Sequence, residues 1–201
     1  MVDFQQRDTH RDEDESENDD RDEQEETEPT AEETKHDHHA QDLESVGAAV
    51  LTVSSSRTLD ADPSGDAIRD AFESKGHRVV TRELVGDDFD RIQAIADQLV
   101  ERRDVDVLVS TGGTGVTPDD VTVDAIGPLF DKHLPGFGEF FRRESAADIG
   151  SKVIASRATG GIAHGVPIFV LPGSEDAVTL AMESIILPEI GHLAGLARHE
   201  D

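Results

Sequence analysis

Leu108–Thr122, LVSTGGTGVTPDDVT, is the stretch from which the fold can be read. The β-branched and aliphatic residues from Val105 to Val109 read as a buried strand. Ser110, Thr111, Gly112, Gly113, Thr114 and Gly115 follow as a loop. Glycines let backbone N–H groups approach an anion closely, and hydroxyls add donors. Asp119 and Asp120 then open a helix-like segment, where a carboxylate can hold Mg²⁺ against nucleotide phosphates. Strand, anion loop and acid in succession point to phosphoryl or nucleotidyl chemistry. The bland alternatives are a tight turn needing positive φ and a helix whose first turn carries acids that suit its dipole. No Gly-Lys-Ser/Thr follows the loop, and its spacing is not GxGxxG, so neither a P-loop nor a standard dinucleotide site is indicated.

Outward from this strand, apolar runs and helical periods alternate. Val46–Val53 reads as a strand, and Ile68, Ala71 and Phe72 mark a helix that Gly76 ends. His77–Leu84 reads as a second strand, followed by a helix through Phe89, Ile92, Ala96 and Leu99. Pro167–Leu171 is a late buried strand, and Val178, Ala181, Met182 and Ile185 face one side of the next helix, which Pro188 is expected to kink or break. This alternation implies βαβ units and a mostly parallel sheet. Three polar loops then fall at strand C-terminal ends, where α/β sheets bind ligands: Ser54–Ser56, Ser110–Gly115 and Pro172–Ser174.

Composition narrows the classes. The 201 residues carry a formal charge of −27. Residues 1–45 hold 19 acids against 4 bases, and residues 46–201 hold 26 against 14, so the folded part is acidic too. Lysine occurs only at Lys35, Lys75, Lys132 and Lys152. Such a surface suits a halophilic cytoplasm, where salt screens self-repulsion, or simply an acidic soluble protein. It argues against nucleic acid as a partner, which needs a basic footprint. Cysteine is absent, which removes disulfides, thiolate metal sites and a cysteine nucleophile. No run of about 18 apolar residues suggests a membrane span, and without an apolar signal core the expected compartment is the cytoplasm. Residues 1–42 are too polar to offset ordering entropy and are expected to form a disordered acidic tail, with 43–201 as the domain. His36, His38 and His39 in HDHH read as solvated tail in preference to a metal site.

Other residues are candidates beside the loop. Asp87, after the second strand, would share a sheet edge with Asp120, and two carboxylates there could share Mg²⁺. Asp88 reads as the N-cap of the next helix. Ser54 with Ser55, Ser56 and Arg57 can hold a phosphate or carboxylate, or form a turn. Ser156-Arg157 with Gly160-Gly161 forms a second small, polar segment. Pro172, Gly173 and Ser174 suit an anion at a helix start, though Ser174 reads equally as an N-cap. Half of the eight phenylalanines fall within 130–141, as core or subunit interface, with Glu139 among them as a candidate ligand contact.

VLTVSSSRTLDADPSG, STGGTGVTPDDVTVDAI, LPGFGEFFRRES, IGSKVIASRA and FVLPGSEDAV together resemble the MoaB and MogA family of molybdenum cofactor biosynthesis, which includes the gephyrin G domain. The resemblance spans roughly Val46–Arg198 and is closer to the MoaB branch. It implies a three-layer α/β/α fold and a homotrimer or homohexamer. It implies molybdopterin as substrate, ATP as co-substrate and Mg²⁺, with adenylylation of the pterin's phosphate and release of pyrophosphate. Molybdopterin synthase or a metal-insertion protein would be partners. Carried over by motif, Asp120 is the principal catalytic acid and Asp87 the second, both as Mg²⁺ ligands. Gly112, Gly113, Thr114 and Gly115 match the phosphate loop; Ser156, Arg157, Pro172, Gly173, Ser174 and Glu139 match the ligand crevice. Asp119 stands where the family often has arginine, and Gly86 where proline is typical. A non-catalytic molybdopterin carrier is the alternative.

Overall fold

Every second residue of a strand faces the same side of its sheet, and here both sides are buried. The computed structural model describes residues 42–198; the expectations for residues 1–41, including the three tail histidines, lie outside them. Six strands form one sheet: β1 (Gly47–Val53), β2 (Arg78–Val85), β3 (Val107–Thr111), β4 (Lys132–His133), β5 (Thr159–Ala163) and β6 (Val166–Leu171). Their order is β2-β1-β3-β6-β5-β4, with the first four parallel and β5 and β4 added antiparallel.

On one face, Ala48, Val50, Val107, Val109, Phe169 and Leu171 pack with helices α1 (Pro63–Ser74), α4 (Pro135–Ile149), α5 (Glu175–Ala181) and α6 (Leu187–Ala197). On the other, Ala49, Leu51, Val53, Leu108, Ile168 and Val170 pack with α2 (Phe89–Val100) and α3 (Thr122–Ile126). The result is a three-layer α/β/α sandwich. Its helices start where local chemistry says they should. Asp62 accepts from the Gly65 N–H at 3.1 Å and Pro63 occupies the first turn of α1. Asp88 accepts from the Arg91 N–H at 2.9 Å and caps α2. Each helix then buries one apolar stripe, Ile68 and Phe72 in α1, Ile92, Ala96 and Leu99 in α2.

Four local expectations are corrected. Ser110 and Thr111 belong to β3, paired with Leu51 and Thr52 of β1, so the loop begins at Gly112. Gly160 and Gly161 are strand residues of β5; the Phe130 ring lies over Gly161 where any side chain would collide with it. Asp119 and Asp120 precede α3, whose first residue is Thr122, and they sit in a turn. Pro188 does not break its helix. The chain runs helically from Glu175 to Ala197, with a wide π turn over Met182–Ile186 just before the proline. That turn makes room for a ring lacking an N–H donor. This 23-residue stretch is long and apolar enough to cross a membrane, but Val178, Ala181, Met182, Ile186, Ile190 and Ala194 are buried in the core.

Candidate functional site

Parallel neighbours β1, β3 and β6 all end at one sheet edge, which brings the loops after residues 53, 111 and 171 together. Gly112 and Gly113 have φ of 100° and 64°. A Cβ at Gly112 would overlap the Val53 carbonyl oxygen, and one at Gly113 the Thr122 hydroxyl. Only glycine fits both the backbone and the space. The Gly112 N–H donates to the Leu171 carbonyl at 3.0 Å, and the Thr111 hydroxyl donates to the Pro172 carbonyl at 2.9 Å. The β3 and β6 loops are thereby joined into one wall.

Beside them opens a cleft of about 810 Å³. Gly112–Gly115 and Asp120 form one side, Pro172–Ser174 and the start of α5 the second, and α4 with Ser156 the third. Nine of the residues singled out in the sequence line it: Gly112, Gly113, Thr114, Gly115, Asp120, Ser156, Pro172, Gly173 and Ser174. Ser174 also caps α5, accepting from the Ala177 N–H at 3.4 Å, as its N-cap reading expected. The Asp120 carboxyl is held below the usual range. The Thr117 hydroxyl contributes most; burial, next in size, opposes it, and the Thr117 and Gly115 N–H groups and the Arg157 charge bring the carboxyl down. Thr117 donates to Asp120 Oδ2 through its hydroxyl at 2.6 Å and its N–H at 2.8 Å. Asp120 therefore stays ionised near neutral pH.

Five candidates lie outside the lining. Asp87 sits beyond β1 on the β2 side, where its Oδ2 accepts from the Ser55 hydroxyl at 2.6 Å. Ser54 approaches Ser56, hydroxyl to hydroxyl at 3.4 Å. Thr111 is buried behind the loop. Glu139 is exposed on α4, while its neighbours Phe137 and Phe141 enter the core. Arg157 points its guanidinium into the protein, at Gly115, Asp120 and Asp124. Arg57 behaves likewise: it pairs with Asp62 and Ser64 and donates to the Gly173 carbonyl at 3.0 Å. Among the described residues, no three His, Asp or Glu side chains gather as a metal cluster.

The structure adds residues to which the sequence assigned no role. Phe141, Ser145, Asp148 and Ile149 recur at helical spacing along α4 and face the cleft. Glu175, Asp176 and Glu183 line it from α5 and the π turn. With Asp120 and Asp148 these make five carboxylates, and no lysine or arginine joins them in the lining.

Known proteins resemble this chain in sequence and in fold. Residues 49–192 match a family described as a probable molybdopterin binding domain. The molybdenum cofactor biosynthesis protein B of Halalkalibacterium halodurans is 43% identical over 157 residues, which are 78% of this chain and 92% of that protein. A crystal structure of a molybdenum cofactor biosynthesis protein B superposes with a TM-score of 0.75 at 40% identity, covering 78% of this chain and 98% of the other. The tungsten cofactor synthesizing protein MoaB from Pyrococcus furiosus gives 0.69 at 35% identity, covering 77% and 98%.

Proposed function

We propose a function from the premise that this chain belongs to the molybdopterin-binding family of molybdenum cofactor biosynthesis proteins. It adenylylates molybdopterin with Mg-ATP, in the cytoplasm, as a homotrimer or homohexamer. The pterin's phosphate oxygen attacks the α-phosphorus of ATP, and the bond to the leaving pyrophosphate breaks. The Gly113 and Thr114 amides stabilise charge developing on the transferred group, the Gly112 and Gly115 N–H groups being committed to the Leu171 carbonyl and the Asp120 carboxylate. No side chain forms a covalent intermediate. One observation carries this reading: an ionised Asp120 beside a glycine-rich amide loop, in the cleft at the C-terminal sheet edge.

Mg²⁺ fits these donors. It is a hard ion that takes one or two carboxylates and completes its shell with phosphate oxygens and water. Asp120 would hold it from the cleft wall; Asp87, the second carboxylate the sequence offers, follows β2 at the same sheet edge but lies outside the cleft lining. Bound there, the ion would neutralise phosphate charge in a cleft whose own lining is acidic.

Purified protein is expected to release pyrophosphate from Mg-ATP only when molybdopterin is present. Asp120→Ala is expected to lower that turnover by about 100-fold or more. Unchanged release from the variant would remove Asp120 from the mechanism. The absence of any cationic side chain in the lining favours a second reading, a molybdopterin carrier that does not take ATP. Calorimetric titration separates the two, since a carrier binds molybdopterin and gives no heat with Mg-ATP.

A further inference from the structure

The loop that carries Asp120 closes on itself. The Asp120 N–H donates to the Thr117 carbonyl at 3.1 Å, and Thr117 returns two hydrogen bonds to the Asp120 carboxylate. The Gly115 N–H also meets the Asp120 carboxylate, and just past the ring the Thr122 N–H donates to the Gly113 carbonyl at 3.1 Å; the side chain that bridges both ends of the loop is that of Arg157. Its backbone N–H donates to the Thr114 carbonyl at 3.0 Å and its Nε to the Gly115 carbonyl at 2.7 Å. Its Nη2 donates to the Asp120 carbonyl, and its Nη1 reaches both Asp124 oxygens on α3 at 3.0 and 2.8 Å. One planar fork thus grips the first residue of the loop, its last residue and the helix that follows. The guanidinium lies outside the cleft lining, and its donors are taken up by these protein partners.

We propose that Arg157 is a positioning residue, whose fork fixes the 115–120 loop and thereby aims the Asp120 carboxylate into the cleft. The assignment rests on the adenylyl-transfer reading for its effect on turnover, but its effect on the loop stands apart from that reading. Arginine is required because its donors lie in one rigid plane. Lysine keeps the charge and cannot span the Gly115 and Asp120 carbonyls together.

Amide hydrogen exchange and steady-state kinetics test it on the full chain, with Arg157→Ala, Arg157→Lys and Asp124→Asn. Exchange at residues 113–120 is expected to quicken in both Arg157 variants and less in Asp124→Asn, while the β1 amides stay protected. Turnover is expected to fall about 10–100-fold in both Arg157 variants, as for other residues that orient an ion-holding side chain. That loss should appear in kcat, with KM for ATP little changed. Full recovery of loop protection and kcat by Arg157→Lys overturns the proposal, because charge alone would then suffice. So does unchanged exchange in Arg157→Ala, or a loss confined to KM. If the wild-type chain shows no turnover, adenylyl transfer fails as a reading, and the exchange data alone decide the role of Arg157.

Discussion

Asp62 caps α1 and at the same time anchors two arginines. Its side chain is fully enclosed, accepts from the Thr52 hydroxyl at 2.6 Å, and pairs with Arg82 and Arg57. Burial alone would raise its pKa, but the bonds from Thr52, Gly65 and Arg82, with the Arg82 charge, prevail and hold it low. Asp62→Ala takes one carboxylate from two partly buried cations, of which Arg82 keeps Asp66 at 2.7 Å and Arg57 the Gly173 carbonyl at 3.0 Å. Because those partners keep 18% and 30% of their exposure, the loss should fall near the low end for a broken buried pair, about 3 kcal/mol. A shift in the urea midpoint measures it; no shift would mean that the arginines are solvated without Asp62. Asp62 and Asp120 both bind protons more weakly folded than unfolded. The stability they contribute is present above the ordinary carboxylate value of 3.8 and is lost as pH falls below it. Arg57 and Arg157 show where single residues mislead. In sequence Arg57 reads as an anion binder and Arg157 matches a ligand-crevice position, but the carboxylates and carbonyls they meet here belong to the protein, a partnership that only the folded loops create.

At the scale of elements, the legible parts were those with a local cause. The caps at Asp62 and Asp88 and the apolar periods of α1 and α2 fix those helices from within. β5 was not legible, because Thr159-Gly160-Gly161 has no strand pattern of its own and becomes a strand by pairing with β6. The cleft wall on α4 was equally hidden: Phe141, Ser145, Asp148 and Ile149 form a surface only once that helix lies beside the β3 loop. Two predictions belong here. Phe72 is fully buried where α1 meets the sheet, so Phe72→Ala should cost about 3–5 kcal/mol in chemical unfolding. His77, between α1 and β2, accepts from the Val46 N–H at 3.3 Å and stands edge-on to Phe72. Burial lowers its pKa from 6.5. The unfolded chain therefore takes up this proton more readily, so stability should be full above pH 6.5 and decline as pH falls from there through the lower folded value. His77→Gln should flatten that slope in urea midpoints measured from pH 8 to pH 5; an unaltered slope would assign it to other groups.

For the whole molecule, charge is the dominant feature. A formal charge of −27 on 201 residues repels itself over a distance set by salt. The screening length falls from about 30 Å at 0.01 M to about 3 Å at 1 M. The melting temperature in KCl should therefore climb across that range, and a flat or falling curve would show that self-repulsion is a minor term. The acidic cleft lining should make anionic ligands follow the same trend, with affinity rising as salt screens the five carboxylates. The sheet also separates the ends of the described residues from the cleft. The Leu43 N–H donates to the Gly191 carbonyl at 3.1 Å, and Arg198 reaches back to Asp106 and the Val105 carbonyl, just before β3 begins. Both ends of the described chain thus leave near the edge opposite the cleft. A surface tether or fluorescent reporter grafted at residue 42 or residue 198 would stand clear of incoming ligand. A short linker joining the two, with new ends opened in an exposed loop elsewhere, should yield a circular permutant that keeps the cleft intact.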